Sequence, residues 1–234
     1  MIDFTSRANL SEWMDEPCSY EDFRDCLRDL RQVNRITLGY RPTLNWLRSI
    51  LPKDGRTLHI VDVGCGGGDM LRQVEHMARK LGAAVRLTGI DLNPYAARAA
   101  RELEPSAPSI KWVTGDAFHF APDIPIDVVI CSLFTHHLPD VDIVRFLQWM
   151  ENVSQCGWFV NDLHRERLPY FGFMLLAKAM KWHRFVQHDG PISFRRAFQH
   201  ADWRNYLERA AIPHHEVSLF TVRPARLCLG RVKS

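Results

Sequence analysis

Apolar positions along the chain follow different periods in different stretches, and the changes of period divide it. Over residues 1–55, Phe23, Leu27, Leu30, Asn34 and Leu38 recur at three- and four-residue steps. Leu44, Leu47 and Leu51 continue the pattern after Pro42. This spacing predicts helices, closed by Pro52 and Gly55. From Arg56 to Val160, short apolar runs alternate with helical stretches. Residues 58–63, 85–91, 110–114 and 126–131 read as four strands, and 157–160 as the start of a fifth. Helices are predicted from the first strand's turn through Leu81, over 94–103 and over 141–153. Such alternation implies a parallel sheet with helices on both faces. Its strand C-termini share one edge, where ligands bind. Beyond it, 168–185 reads as one long, aromatic, partly basic helix, and 217–222 and 226–232 as two terminal strands around Pro224. Neither an internal repeat nor a low-complexity segment interrupts the chain.

Composition narrows the class. The chain has 234 residues, 46% hydrophobic, with 30 Lys+Arg against 27 Asp+Glu. That is enough for one domain with a real core, and too evenly charged for a dedicated nucleic-acid binder. Thirteen glycines and thirteen prolines exclude collagenous or disordered character. None of the six cysteines sits in a C-x-x-C pair, so neither a disulfide framework nor a zinc site, nor any other metal, is expected. The N-terminus does not resemble a secretory signal, and the longest apolar stretch, 170–177, is too short to span a bilayer. A soluble, cytoplasmic protein is the expectation.

The chemistry is concentrated in Val61-Asp62-Val63-Gly64-Cys65-Gly66-Gly67-Gly68-Asp69, where the first strand turns into a helix. Bare backbone there allows a ligand to come close; a plain tight turn needs only one or two glycines. The dinucleotide fingerprint G-x-G-x-x-G fails in both registers, because Asp69 or Leu71 stands where its third glycine belongs. Asp91 ends the second strand, about where a carboxylate can accept from both ribose hydroxyls. Asn93-Pro94 then makes a helix start, with Asn as cap and Pro as first residue. Gly115-Asp116-Ala117-Phe118 follows the third strand.

Asp62-x-Gly64-x-Gly66-x-Gly68 resembles motif I of the class I S-adenosylmethionine (SAM)-dependent methyltransferases. The resemblance covers roughly residues 55–160. It implies an α/β, Rossmann-like, doubly wound, seven-stranded, mostly parallel sheet with helices on both faces. A helical cap over 1–55 would precede a methyltransferase domain over 56–234, with 165–212 as a substrate-binding insertion. It implies SAM as cofactor, with Asp62 orienting the ammonium directly or through water. Gly64, Cys65, Gly66 and Gly68 form the cradle, and Asp91 with Leu92 meets the ribose. Asp116 bonds the adenine amino group beside Ala117 and Phe118, and Ser132 with Leu133 closes the site. The segment from Cys131 to Asp140 is similar to that of small-molecule methyltransferases of the ubiquinone/menaquinone biosynthesis type.

An acceptor hydroxyl gains from a base near neutral pH. His136 and His137, after the fourth strand, and His164, after the fifth, are the candidates. His137 packing over the cofactor is the plain alternative, and Asp162 either bonds the substrate or caps a turn. Nucleic-acid substrates are disfavoured: the Asn/Asp-Pro-Pro-Tyr/Phe motif of DNA amino-methylating enzymes is missing after the fourth strand, and Asn93-Pro94-Tyr95 lies after the second. Residues 167–185, with Trp182, His183 and Phe185, suit a pocket for a small hydrophobic or aromatic acceptor; their basic residues are also compatible with membrane-surface contact. Trp13, Met14, Arg35, Tyr40 and Arg41 stand to cover the same opening. The expected activity is O-methylation of a phenolic or polyketide-like molecule. C-methylation of a quinone precursor, or SAM binding without catalysis, are the alternatives.

Overall fold

The computed structural model describes residues 2–52, 54–103 and 109–233. In chain order the elements are α1 (Tyr20–Ile36), α2 (Arg41–Ile50), β1 (Leu58–Val63), α3 (Asp69–Leu81), β2 (Val85–Asp91), α4 (Ala96–Leu103), β3 (Ile110–Thr114) and β4 (Ile126–Ser132). There follow α5 (Asp140–Val153), β5 (Ser154–Leu163), α6 (Arg167–Ala179), α7 (Arg184–Arg196), α8 (His200–Arg209), β6 (Val217–Val222) and β7 (Arg226–Val232). The strands make one seven-stranded sheet ordered β3-β2-β1-β4-β5-β7-β6, parallel except where β7 pairs antiparallel with β5 and β6.

β1 lies mid-sheet and is buried at every position, as its unbroken run Leu-His-Ile-Val-Asp-Val requires of a strand covered on both faces. Leu58 and Ile60 pack with Leu47 of α2 and Leu71 and Val74 of α3 on one face. Val61 and Val63 pack with Phe146, Leu147 and Met150 of α5 and Trp203 of α8 on the other. The chain order reverses between β1 and β4, so their C-terminal tips part over a crevice. α1 bridges that edge. Its Phe23 and Leu27 pack on Ala96 and Ala99 of α4, and its Cys26 and Val33 join Val186 of α7.

Two expectations need correction. The stretch 168–185 is not one helix: α6 ends at Ala179, Lys181 adopts φ 52°, and Trp182 N–H returns to the Ala177 carbonyl before α7 begins. The helix after β2 starts at Ala96 rather than 94; Asn93 makes the turn that precedes it, its Oδ1 accepting from Tyr95 N–H at 2.9 Å. α8 was not anticipated. Among the described residues, no helix is long and apolar enough to cross a membrane.

Candidate active site

The loop after β1 has Gly64, Gly66 and Gly68 at φ 69°, 48° and 71°, a left-handed backbone that side chains resist. Two of these glycines also answer to the protein's own packing. A Cβ on Gly64 would lie 2.5 Å from Phe134 Cδ2, and one on Gly68 would overlap the Trp112 ring. The loop is held open by Asp91, whose Oδ2 accepts from Gly66 N–H at 2.8 Å while Oδ1 accepts from Asn93 N–H at 2.9 Å. Burial raises the Asp91 carboxyl above its usual value, against the pull of those two amides. At the tip of β1, Asp62 is 2% exposed and its Oδ1 has no hydrogen-bond partner. Burial first, then the neighbouring Asp69 and Asp91 charges, push its carboxyl well above the carboxylate range. A buried, under-satisfied carboxylate is a receptor for a donor cation.

This loop forms one end of a cavity of about 910 Å³, at the upper end of the range for ligand pockets. The other end is polar in a different way. The turn Thr135–His137 follows β4, and the tip of β5 runs beside it. There Asp162, fully buried, accepts from Thr135 Oγ1 at 2.5 Å and His136 N–H at 3.1 Å, and its Oδ1 lies 2.7 Å from His136 Nδ1. Burial alone would raise Asp162, but His136 beside it and these donors hold its carboxyl well below the usual range. His136 Nε2 therefore points away from Asp162, 3.7 Å from Glu12 Oε1. His137 repeats the arrangement: Nδ1 lies 2.7 Å from Asp15 Oδ1 and Nε2 3.9 Å from Glu12 Oε2. Burial would lower the His137 imidazole, yet Asp15 and Glu12 together raise it. Two guanidiniums fix the turn from behind. Arg196 donates to the His136 and His137 carbonyls at 3.1 and 2.9 Å, and Arg7 to the His136 and Leu138 carbonyls at 3.2 and 3.1 Å.

Apolar walls join the two ends: Leu27, Leu30 and Val33 of α1, Phe173 and Leu176 of α6, and Val186 and Phe194 of α7. A glycine loop beside the orphaned Asp62 carboxylate, sharing one cavity with an aspartate-held histidine, is a two-substrate geometry. Residues 60–157 match the family profile described as a methyltransferase domain. Over residues 60–157 the chain carries a methyltransferase domain. Comparison with curated proteins returns no significant match.

Solved structures share the fold of this methyltransferase domain at low identity. The magnesium protoporphyrin IX methyltransferase of Synechocystis PCC 6803, with bound SAH, is 17% identical at a TM-score of 0.54, covering 94% of this chain and 90% of that one. The plantazolicin methyltransferase BamL, in complex with a triazolic desmethylPZN analog and SAH, is 13% identical at 0.64, covering 94% and 92%. A putative O-methyltransferase from Nostoc punctiforme PCC 73102 is 12% identical at 0.59, covering 88% and 59%.

Most residues singled out by sequence line the cavity of the methyltransferase domain: Asp62, Gly64, Cys65, Gly66, Asp91 and Leu92 from the first two strand ends, Asp116, Ala117 and Phe118 after β3, and Ser132, Leu133, His136 and His137 after β4. Leu133 sits at φ 54°, a strained conformation for a branched side chain. Asp116 spends part of its carboxylate on Phe118 N–H, at 2.9 Å. Two residues do not belong there. Gly68 faces Trp112 and starts α3, so its role is packing and turn geometry. His164 is not among the lining residues; it is bridged to Phe198, edge-on to His200 and beside Glu166.

On the covering side, Met14 lines the cavity, and the Tyr40 hydroxyl donates to Asp69 at 2.6 Å. Trp13 instead stacks on His188, with ring centroids 3.8 Å apart, and Arg35 and Arg41 are not among the lining residues. Trp182, His183 and Phe185 stay outside it, whereas Phe173, Leu176 and Val186 face in. Glu12, Asp15 and Arg196 were missed. They lie far from His136 in sequence, and no local spacing links them to it.

Proposed function

We propose that the chain methylates an oxygen of a small hydrophobic acceptor, phenolic or polyketide-like, with SAM as methyl donor. The observation that carries this reading is a single cavity with a glycine loop and the orphaned Asp62 at one end, and the buried Asp162–His136 pair at the other.

The residues present suit that donor. Asp62 would face its ammonium, Asp91 the ribose hydroxyls and Asp116 the adenine amino group, with Leu92, Ala117, Phe118 and Leu133 against the ring system. When bound, SAM supplies a methyl group on a sulfonium, ready for in-line displacement. The chain's own task is alignment, exclusion of water and care of the acceptor's proton. Helices α1, α6 and α7 shield the cavity with apolar side chains. Asp162 holds His136 through Nδ1, leaving Nε2 toward the cavity as the group that meets an acceptor hydroxyl. Residues 1–55 serve as the cap, and within 165–212 it is α6 and α7 that select the acceptor.

Methyltransferases of magnesium protoporphyrin IX and of plantazolicin share this fold, so acceptor choice rests on the walls rather than on the shared sheet. The Asp162–His136 pair supplies a base for the proton that the acceptor hydroxyl gives up. Calorimetry with SAM and with NAD, followed by mass detection of methylated product from a panel of phenols and quinones, tests the reading. SAM binding and phenol methylation are expected. NAD preference removes the donor assignment, and product from quinones alone removes the oxygen assignment.

A further inference from the structure

We infer that Glu12, His136 and His137 form a site for one divalent transition-metal ion at the acceptor end of the cavity. Their ligand atoms all lie within 4.8 Å of one another, and all three residues line the cavity. Each imidazole turns Nδ1 to its own carboxylate, Asp162 or Asp15, at 2.7 Å. This leaves both Nε2 atoms facing the single Glu12 carboxylate at 3.7 and 3.9 Å. A carboxylate behind each ligating histidine is how metal sites fix ring orientation and tautomer.

The distances to Glu12 are too long for direct hydrogen bonds and leave room among the three groups for an ion that all of them reach. The local charges admit a divalent ion: Glu12, Asp15 and Asp162 bring three negative charges, Arg196 returns one through Asp15 at 2.6 Å, and the ion supplies the other two. Glu12 Oε1 also accepts from Ser193 Oγ at 3.0 Å, which orients the carboxylate, and Arg196 stands 3.6 Å from that same oxygen. A tetrahedral ion with bonds of ~2.1 Å spaces its ligand atoms ~3.4 Å apart, so only small closure is required. Two imidazoles and one carboxylate suit zinc, cobalt or manganese better than magnesium, which prefers an all-oxygen shell.

Resting on the proposed O-methylation, the ion takes the place of the free His136 Nε2 at the acceptor hydroxyl, and its open position would face the acceptor. An oxygen bound there ionises more readily, its proton passing to the buffer. The oxygen lone pair then forms the bond to the methyl carbon, while the carbon–sulfur pair stays on sulfur. Metal binding itself does not depend on that reading.

The test is titration of the chelator-treated, tag-free protein with CoCl2. A visible d–d absorption saturating at one equivalent, lost on adding ZnCl2 and accompanied by proton release, is expected. E12Q and H136Q should weaken cobalt binding at least ~10-fold, and H215Q, on the surface, should leave it unchanged. Melting curves and SAM calorimetry establish that each variant is folded, and SAM binding reports on the methyl-transfer reading separately. Absence of the cobalt band in the folded wild-type protein overturns the site, and so does equal binding by folded E12Q and H136Q.

Discussion

Asp62 shows how one residue can serve the site at the fold's expense. Its Oδ1 is buried without a partner, and burial with two neighbouring aspartates raises its pKa in the folded state. A carboxyl whose folded pKa exceeds its unfolded value of about 4 favours the fold below that pH, and this contribution is lost as pH rises through the raised pKa. Without SAM, the wild-type chain should therefore lose melting temperature progressively above about pH 4, whereas Asp62→Asn should melt higher at pH 8 with a flatter profile. The same variant should give up about 1–3 kcal/mol of SAM affinity. Parallel melting profiles from pH 5 to 8 would contradict the account. Asp162 has the opposite character, since His136 holds it ionised. Asp162→Asn should cut methyl transfer ~10–100-fold while calorimetric SAM affinity stays unchanged; equal losses in both would make it a folding residue only.

At the level of elements, legibility followed punctuation. α3 ends at Leu81 as read from sequence because Gly82 takes the left-handed turn at φ 64°. α6 and α8 close with the same backbone motif but without glycine. Lys181 and Ala211 stand at φ 52° and 59°, and the next amides, Trp182 and Ile212, return to the Ala177 and Leu207 carbonyls. A lysine or alanine in that place carries no stop signal, so α6 and α7 merged into one predicted helix. The strands fared better, since short runs rich in β-branched and other apolar residues, bounded by turns, leave little latitude: 58–63, 85–91 and 110–114 stand where read. The non-glycine stops also have an energetic consequence. Left-handed backbone costs an L-residue roughly 1–2 kcal/mol, part of which glycine returns as unfolded-state entropy. Ala211→Gly, at an exposed position, should raise stability by up to about 1 kcal/mol in urea unfolding, with Lys181→Gly similar. Destabilisation by either would mean that the turns are not strained.

Over the whole molecule, the site divides by how far its contacts reach. The glycine-loop end of the cavity was legible because Asp62 to Asp69 is contiguous and Asp91 and Asp116 lie at the tips of adjacent strands. The acceptor end was not, because it is assembled by the N-terminal strap. Arg7 ties that strap to five groups: the Arg196 carbonyl at 2.8 Å, Asp140 at 2.6 Å, the Tyr206 hydroxyl at 3.2 Å, and the carbonyls of His136 and Leu138. Further along, Asp189 accepts from the Trp13 and Met14 amides, and Ser193 holds Glu12. Binary pattern is blind to such bonds, for Arg7, Glu12 and Asp15 read as ordinary surface charges. Arg7→Ala should strip the strap's anchor without touching the sheet. Charge-assisted hydrogen bonds lost from a partly buried arginine correspond to about 2–4 kcal/mol. That loss should emerge as faster amide exchange over residues 4–16 and at the 135–138 turn, while β1 and β4 exchange only with global unfolding. SAM affinity, set at the far end of the cavity, should change little, and methyl transfer should fall because Glu12 and the two histidines no longer share a fixed frame. Uniform acceleration of exchange through β1 and β4 instead would make Arg7 a support of the entire fold and leave the acceptor end without a separate mechanical anchor.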